Sequence, residues 1–296
     1  MLKTIERKAY AKVNLSLDVL RRRPDGYHEV KMIMQSVGIY DELTFTLGKA
    51  GEGIELEFVD LPSNVDLGPV EKNLIYRAAK LIMDTKDVAE SVKISLKKNI
   101  PVAAGMAGGS TDAAAVFHGL NELFNLDMSM EEMCALGVKL GADIPFCIMG
   151  GTYLSEGIGE VLTKLNTPPE CVLLVAKPDI DVSTKFVYEN LHANELKVHP
   201  DVDAMIEEIN KKSLSGVASL LGNVLETVTE NAYPIISDIK KMMLEGGALN
   251  SLMSGSGPTV FGIFEPTNDG MEKAQKTAEM IKNNNLAKQV FITEFV

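Results

Sequence analysis

A glycine-rich stretch stands between a predicted strand and a predicted helix, and it reads Pro101-Val102-Ala103-Ala104-Gly105-Met106-Ala107-Gly108-Gly109-Ser110-Thr111-Asp112-Ala113-Ala114-Ala115. Its small residues let the backbone approach a ligand closely. The helix behind it presents N–H groups and the positive end of its dipole. These features are typical of an anion-binding site, for which a nucleotide phosphate is the natural ligand. The stretch therefore predicts phosphate binding at the N-terminus of a helix.

Two common phosphate-binding motifs do not fit this stretch. No Gly-Lys-Ser/Thr follows the glycines, and Ala107 occupies the second glycine position of G-x-G-x-x-G. Both departures argue against a P-loop NTPase and against a Rossmann dehydrogenase. The plain alternative is a tight strand-to-helix turn in which Ser110 or Thr111 serves only as the N-cap.

Two polar positions interrupt the apolar pattern of the first predicted strand. In Ala9-Tyr10-Ala11-Lys12-Val13-Asn14-Leu15, Lys12 and Asn14 fall on the same face. They either form the solvent-facing side of an amphipathic strand or belong to a site. A turn follows at Arg23-Pro24-Asp25-Gly26-Tyr27-His28, because Pro-Asp-Gly supplies a fixed φ and then a permissive residue. Without further evidence, Tyr27 packs beside that turn and His28 lies on the surface.

One acidic residue stands among small and apolar neighbours, in Gly141-Ala142-Asp143-Ile144-Pro145-Phe146. An aspartate there is expected to be partly buried, which is costly unless the charge is paired. We expect the paired cation to come from a distant part of the chain, with Lys12 as the candidate. The alternative is an N-cap role before Pro145. Later, Met253-Ser254-Gly255-Ser256-Gly257-Pro258-Thr259 predicts either a hairpin turn or a further loop of the site.

Composition limits the classes of protein. The chain has 296 residues and a net charge of −12, which argues against a general nucleic-acid binder. Its three cysteines form no CxxC pattern, so we expect a reducing, cytoplasmic location. The N-terminus has no apolar signal-peptide region, and no apolar run approaches the roughly 20 residues that span a bilayer. We therefore expect neither nucleic-acid nor membrane partners.

The periodicity of the chain predicts an α+β protein with two domains, 1–165 and 166–296, divided at the paired prolines of Thr163-Lys164-Leu165-Asn166-Thr167-Pro168-Pro169. Strands are predicted at 9–20, 30–39, 43–47, 54–59, 92–96, 171–176, 259–264 and 289–294. Helices are predicted at 73–83, 111–124, 129–140, 184–191, 202–211, 235–244 and 270–283, with Ser129 as an N-cap.

Several of these motifs together resemble the GHMP kinases. The glycine-rich stretch resembles their phosphate-binding loop, Pro-x-x-x-Gly-Leu/Met-x-Gly-x-Ser/Ala. The segments Ala-Lys-x-Asn-Leu, Arg-x-Asp-Gly-Tyr-His and Gly-Ala-Asp-Val/Ile-Pro-Phe are similar to those of the methylerythritol-pathway branch. The likeness covers essentially the whole chain, with two mild departures at Ala107 and Thr111. It implies a ribosomal protein S5 domain 2-like N-terminal domain and a ferredoxin-like C-terminal domain.

The resemblance also implies an activity, ATP-dependent phosphorylation of a cytidine diphosphate-linked methylerythritol, with Mg²⁺ carried by the ATP. It implies that Lys12 and Asp143 are catalytic. ATP would contact residues 101–111, with Ser110 near the phosphates and Mg²⁺, and Asn73 would reach the adenine. No protein carboxylate stands out as a metal ligand.

The cytosine would be held by aromatic residues. By resemblance, Tyr27 would stack on the ring and His28 would read its edge. Tyr188 would cover the second face, with Phe186 as the alternative. Asn14 and Thr184 complete the implied substrate contacts.

Two other functions stay open from the sequence. One is a GHMP kinase with a different alcohol acceptor, against which the Asp-Gly-Tyr-His turn argues. The other is a non-catalytic relative that senses a nucleotide or sugar, against which the retained Lys12 and Asp143 argue. The partner expected is a small molecule, and the chain is expected to be a monomer or a weak homodimer.

Overall fold

The computed structural model describes residues 3–49, 51–61 and 68–296. The strands are β1 Thr4–Arg22, β2 His28–Leu47, β3 Ile54–Val59, β4 Val92–Lys97, β5 Thr152–Gly157, β6 Val161–Lys164, β7 Val172–Lys177, β8 Gly222–Asn223, β9 Asn250–Met253, β10 Val260–Phe264 and β11 Gln289–Thr293. The α-helices are α1 Leu74–Thr85, α2 Gly108–Phe124, α3 Met130–Gly137, α4 Ile144–Met149, α5 Thr184–Asn190, α6 Val202–Asn210, α7 Leu214–Ser219, α8 Glu226–Ala232, α9 Ile235–Glu245 and α10 Asn268–Asn283.

Two compact units make up the chain. Unit 1 consists of Met1–Ala11, Ile39–Val102 and Ala107–Gly150, and unit 2 consists of Lys12–Gly38, Ala103–Met106 and Gly151–Val296. The long strands β1 and β2 each contribute residues to both units. The predicted boundary after residue 165 falls inside unit 2. Because the units follow spatial proximity and not the order of the chain, the division at 165 stays a prediction.

Unit 1 is a layer of helices on a sheet. Strand β4 pairs antiparallel with the second half of β2 and parallel with β3. Helices α1 to α4 are amphipathic or apolar, and they share one apolar core with these strands. Contact between α2 and β2 is close: a Cβ at Gly119 would lie 2.4 Å from the ring of Phe45. Helix α2, which begins at the glycine-rich stretch, is therefore fixed against the sheet.

Unit 2 contains a four-stranded antiparallel sheet in the order β11-β7-β10-β9. Along the chain, β7, β9, β10 and β11 are the first to fourth strands of a βαββαβ unit. Their spatial order is therefore 4-1-3-2, which is a ferredoxin-like topology. Strands β7 and β10 are buried along their whole length, and α9 and α10 pack against the sheet. Unit 2 also holds the antiparallel pairs β2–β5 and β5–β6 and the short parallel pair β1–β8.

Two predicted boundaries are wrong in an informative way. The strands predicted at 30–39 and 43–47 form one strand, β2, because the buried carboxylate of Asp41 is hydrogen-bonded and does not end the strand. Helix α2 begins at Gly108, three residues before the predicted start at Thr111, because Ala107 turns the chain with a left-handed φ of 57°. The elements α4, β5, β6, α7, α8, β8 and β9 were not predicted.

Candidate active site

The first turn of α2 is left without a side-chain cap. Ala107 occupies the N-cap position with a left-handed backbone and makes no cap hydrogen bond. Ser110 is the third residue of the helix, and the Thr111 hydroxyl donates to the carbonyl of Tyr10 at 2.8 Å. The N-cap interpretation of Ser110 and Thr111 is therefore wrong. The leading N–H groups of α2 have no capping side chain, which suits an anionic ligand.

The glycine-rich stretch also needs an unusual backbone before the helix. Ala103, Gly105 and Ala107 all have positive φ, and left-handed alanine is a strained conformation that clusters at functional sites. A Cβ at Gly105 would lie 2.4 Å from the carbonyl oxygen of Ser254. The hydroxyl of Ser254 donates to the carbonyl of Gly105 at 3.0 Å. The loop at 254–259 is therefore the turn of the β9–β10 hairpin and also supports the glycine-rich stretch.

Lys12 and Asn14 point into the protein and not into solvent. Lys12 is 5% exposed and Asn14 is 1% exposed, so the solvent-facing interpretation of this strand face is wrong. The Lys12 ammonium donates to Asn14 Oδ1 at 2.7 Å and to the carbonyl of Gly105 at 3.2 Å. Within the described residues of unit 2, no carboxylate forms an ion pair with Lys12. A buried ammonium held only by neutral oxygens is suited to meet an anion.

Asp143 lies in unit 1 immediately before α4. It is half-buried, as predicted, and it occupies the N-cap position of the helix. Its side chain makes no cap hydrogen bond, so α4 does not use the carboxylate. The capping interpretation is therefore wrong for the side chain, which stays available for chemistry. Lys12 belongs to unit 2, and its pairing with Asp143 remains a prediction.

Two of the residues expected at a cytosine meet in unit 2. The rings of His28 and Tyr188 have centroids 5.1 Å apart and planes tilted by 39°. They line a cavity of about 190 Å³ together with Arg22 and residues between 189 and 195. His28 is half-buried and lines this cavity.

The electrostatics at His28 favour the neutral imidazole. Burial lowers its pKa, and the charge of Arg22 lowers it further. A neutral imidazole offers one N–H donor and one acceptor, which is the pattern needed to bind the polar edge of a base.

The remaining residues expected at the substrate lie nearby in the chain. Tyr27 is 61% exposed, while Phe186 is 40% exposed. Thr184 and Ser256 share a hydrogen bond of 2.8 Å between their hydroxyls, which ties the start of α5 to the glycine-serine loop at 254–259.

Asn73 has a structural role that the sequence did not reveal. It is the N-cap of α1, and its Oδ1 accepts from the N–H of Ile75 at 2.9 Å. The contact with adenine stays a prediction, because the cap uses only the oxygen of the amide and leaves its NH₂ group for a ligand.

Substitutions at Asn73 can separate the two roles. Asn73→Ala is expected to lower the free energy of unfolding by about 1 kcal/mol, whereas Asn73→Asp keeps the cap and most of the stability. If the amide NH₂ binds adenine, both variants raise the KM for ATP. Chemical denaturation and steady-state kinetics on the same samples measure both effects. An unchanged KM in Asn73→Asp would restrict Asn73 to capping.

Three buried ionic residues were missed by the sequence analysis. Lys98 contacts both Asp41 and Asp112 in unit 1. The signal available was weak: an aspartate inside a strand and another inside an alanine-rich helix.

A resident metal site formed by protein side chains is not present in the part of the chain that the structure describes. There, no three His, Cys, Asp or Glu side chains are grouped to hold an ion. The expected Mg²⁺, carried by ATP with Ser110 beside it, stays a prediction, and Ser110 offers a hydroxyl oxygen of the kind that this ion accepts as a ligand. Within the same described residues, no helix is long and apolar enough to cross a membrane.

The fold and these side chains define a class of small-molecule kinase, and comparison with known proteins agrees. Residues 73–151 match the GHMP kinases N terminal domain, and residues 205–283 match the GHMP kinases C terminal domain. The L. major mevalonate kinase shares the fold, with a TM-score of 0.77 at 18% identity over 99% of this chain and 96% of its own. The predicted two-domain α+β GHMP kinase fold is therefore confirmed.

More similar relatives narrow the class. A 4-diphosphocytidyl-2-C-methyl-D-erythritol kinase of Lachnoclostridium phytofermentans is 50% identical over 98% of this chain and 97% of its own length. Its counterpart in Acetivibrio thermocellus is 45% identical over 100% of both chains. A crystal structure of a 4-(cytidine 5'-diphospho)-2C-methyl-D-erythritol kinase has a TM-score of 0.81 and 31% identity, covering 98% of this chain and 99% of that one. The chain belongs to the 4-diphosphocytidyl-2-C-methyl-D-erythritol kinase family of the GHMP kinases.

Proposed function

We propose that this chain transfers the γ-phosphoryl group of ATP to the 2-hydroxyl of 4-diphosphocytidyl-2-C-methyl-D-erythritol. The products are the 2-phosphate and ADP, in the non-mevalonate route to isoprenoid precursors. The observation that carries the proposal is the 50% identity to a relative of that name over 98% of this chain. The cavity shared by His28 and Tyr188 supports a base-containing substrate.

ATP binds through its phosphates at residues 101–111. The uncapped N–H groups of α2 and the helix dipole favour negative charge there. Phosphoryl transfer needs alignment and electrostatic stabilisation more than covalent chemistry. Magnesium, when carried by ATP, neutralises phosphate charge, and Ser110 is the side chain proposed to contact it.

Asp143 is the proposed general base. Its carboxylate is not used by α4, and it accepts the proton of the 2-hydroxyl as that oxygen attacks. Lys12 is the proposed electrostatic partner, because its buried ammonium stabilises both an ionised Asp143 and the charge on the transferring phosphoryl group. Asn14 holds the Lys12 ammonium through the 2.7 Å hydrogen bond to its Oδ1, and it is also proposed to contact the substrate.

The cytosine is proposed to lie at His28, with Tyr27 and Tyr188 on its faces. The neutral His28 ring donates one hydrogen bond and accepts one. Tyr27 is largely exposed, and base stacking on an exposed aromatic ring is worth about 1–3 kcal/mol. Thr184 is proposed to contact the substrate from the start of α5.

The proposal is tested by ATP-dependent phosphorylation of 4-diphosphocytidyl-2-C-methyl-D-erythritol, followed by product detection and ADP release. Mevalonate and homoserine serve as competing acceptors. The expected result is turnover of the cytidyl substrate alone. Turnover of another alcohol in place of the cytidyl substrate would contradict the proposed substrate, but the chain would still be a kinase. Binding of ATP without phosphorylation of any acceptor would instead favour the nucleotide sensor.

Tyr188→Leu is expected to raise the KM for the cytidyl substrate by about 5- to 150-fold, which corresponds to loss of 1–3 kcal/mol of stacking. The KM for ATP is expected to stay within about threefold, because the loss concerns the base of the acceptor only. Phe186→Leu on the same helix is the matched control. A larger effect at Phe186 than at Tyr188 would assign the second face of the cytosine to Phe186.

We further propose a cytoplasmic enzyme that works as a monomer or weak homodimer, with a small molecule as its partner. The composition supports the location, since three cysteines without CxxC spacing fit a reducing compartment. Sedimentation at several protein concentrations tests the oligomeric state. A stable tetramer would contradict it.

A further inference from the structure

A buried ionic cluster in unit 1 joins three residues, which we call the loop clamp: Asp41, Lys98 and Asp112. The Lys98 ammonium lies 2.5 Å from Asp41 Oδ2 and 2.7 Å from Asp112 Oδ2. All three side chains are buried, with at most 7% exposed. One cation therefore bridges two carboxylates that lie far apart in sequence.

The clamp touches both ends of the glycine-rich stretch. At the leading end, Asp41 Oδ1 accepts from the N–H of Asn99 at 2.6 Å and from the N–H of Ile100 at 2.8 Å. These two residues directly precede Pro101. At the trailing end, Asp112 lies on α2 just after Thr111. Lys98 connects the two ends through its single ammonium.

The first residue of α2, Gly108, lies close to the Lys98 ammonium. A Cβ at Gly108 would lie 3.1 Å from Lys98 Nζ, which is tighter than ordinary side-chain contact. The same Cβ would lie 3.1 Å from Ile100 Cγ2, so Lys98 and Ile100 both limit the space at Gly108. The first turn of α2 therefore lies against the Lys98 ammonium as well as against Ile100.

This cluster is a poor device for stability alone. Burying two carboxylates and one ammonium costs more than packing apolar residues of similar size. The second oxygen of Asp112, Oδ1, is buried and has no hydrogen-bond partner within the described residues. Burial accordingly raises the pKa of Asp112 well above its usual range. The cost in stability of burying these charges is explained if the cluster fixes a backbone geometry that apolar packing would not define.

We propose that Asp41, Lys98 and Asp112 are positioning residues that hold the two ends of the phosphate-binding loop at the separation ATP phosphates require. The proposal rests on the proposed ATP-binding role of residues 101–111. The clamp does not touch the substrate; it acts through the backbone at 99–100 and through the first turn of α2.

Asp112→Ala is the most informative variant, because it leaves Lys98 paired with Asp41 as a neutral buried pair and the chain is expected to fold. We expect the affinity for Mg-ATP, measured by calorimetry, to fall about tenfold. The affinity for adenosine and the KM for the alcohol substrate are expected to stay within about twofold. Asp112→Asn keeps an oxygen that accepts from Lys98, and it is expected to restore most of the Mg-ATP affinity.

A matched control is provided by the residues next in sequence to Asp41 and Lys98. Glu42 and Lys97 form an ion pair at 3.0 Å, but both side chains are 48% exposed. Glu42→Ala is expected to leave the affinities for Mg-ATP and for adenosine unchanged. Asp41→Asn provides a second test within the clamp, and it is expected to weaken Mg-ATP binding selectively as well.

Unchanged Mg-ATP affinity in both Asp112→Ala and Asp41→Asn would overturn the proposal. An equal loss of adenosine and Mg-ATP affinity, or failure of both variants to fold, would also overturn it, because the clamp would then be merely structural. The proposed function fails separately, if the wild-type chain binds Mg-ATP and does not phosphorylate the cytidyl substrate. The Mg-ATP affinities of the clamp variants test the clamp whether or not the wild-type chain phosphorylates the cytidyl substrate.

Discussion

Asp143→Asn is expected to lower kcat by about 10²- to 10⁴-fold, the usual contribution of a general base. Asparagine has the shape of aspartate but cannot accept the hydroxyl proton. The Asp143 side chain makes no cap hydrogen bond with α4, so the substitution removes nothing that the helix needs. Stability is therefore expected to change little, and the KM values for ATP and for the alcohol are expected to stay within about threefold. Steady-state kinetics with the cytidyl substrate measure this pattern.

The control for Asp143 is another aspartate of unit 1. Asp84 lies on α1 and pairs with Lys80 at 2.9 Å, with both side chains exposed. Asp84→Asn removes an exposed ion pair worth less than about 1 kcal/mol and should leave kcat unchanged. A kcat of Asp143→Asn within threefold of wild type would remove Asp143 from the role of base.

Short-range patterns in the sequence predicted the elements whose partners are local. Strand β3 was predicted at 54–59 and is observed as Ile54–Val59. Ser129 was predicted as an N-cap, and its hydroxyl accepts from the N–H of Glu132 at 3.1 Å. Alternation and capping both depend on residues within a few positions, so one sequence is enough to see them.

Long-range contacts decided what the sequence could not predict. The strands predicted at 30–39 and 43–47 left out Asp41, whose partner Lys98 is 57 positions away. Thr111 looked like a cap, but its hydroxyl bonds to Tyr10 across 101 positions. A polar residue is satisfied by partners that the fold supplies, and single-sequence patterns contain no record of those partners.

The residues of the candidate site show the same difference between local motifs and long-range contacts. Motif resemblance named Lys12, His28 and Tyr188, and the structure buries the first and brings the other two together. It did not name the loop clamp, whose members belong to no local motif. The residues proposed to act on ligands were therefore accessible from sequence, while those proposed to hold the loop required the tertiary structure.

Lys12→Met is expected to lower kcat by about 10²- to 10³-fold, the usual effect of removing one preorganised donor from a transition state. Methionine is unbranched like lysine and only one heavy atom shorter, so most of the space that the Lys12 side chain fills stays filled. Lys8→Met is the matched control: it lies four residues earlier on β1, and its ammonium sits 4.2 Å from the ring centroid of Tyr40 on an exposed face. Its kcat is expected to match that of wild type.

The stability of Lys12→Met separates a functional residue from a structural one. The loss of the ammonium leaves Asn14 Oδ1 and the Gly105 carbonyl without this donor, at about 1–3 kcal/mol. It also removes a buried ammonium whose desolvation costs several kcal/mol, against which unit 2 sets only the neutral oxygens of Asn14 and Gly105. The second effect is the larger, so Tm is expected to hold or rise while kcat collapses. If Tm and kcat fall together, Lys12 is a structural residue. A buried charge that is retained for catalysis is expected to lower stability, so its removal would not lower Tm.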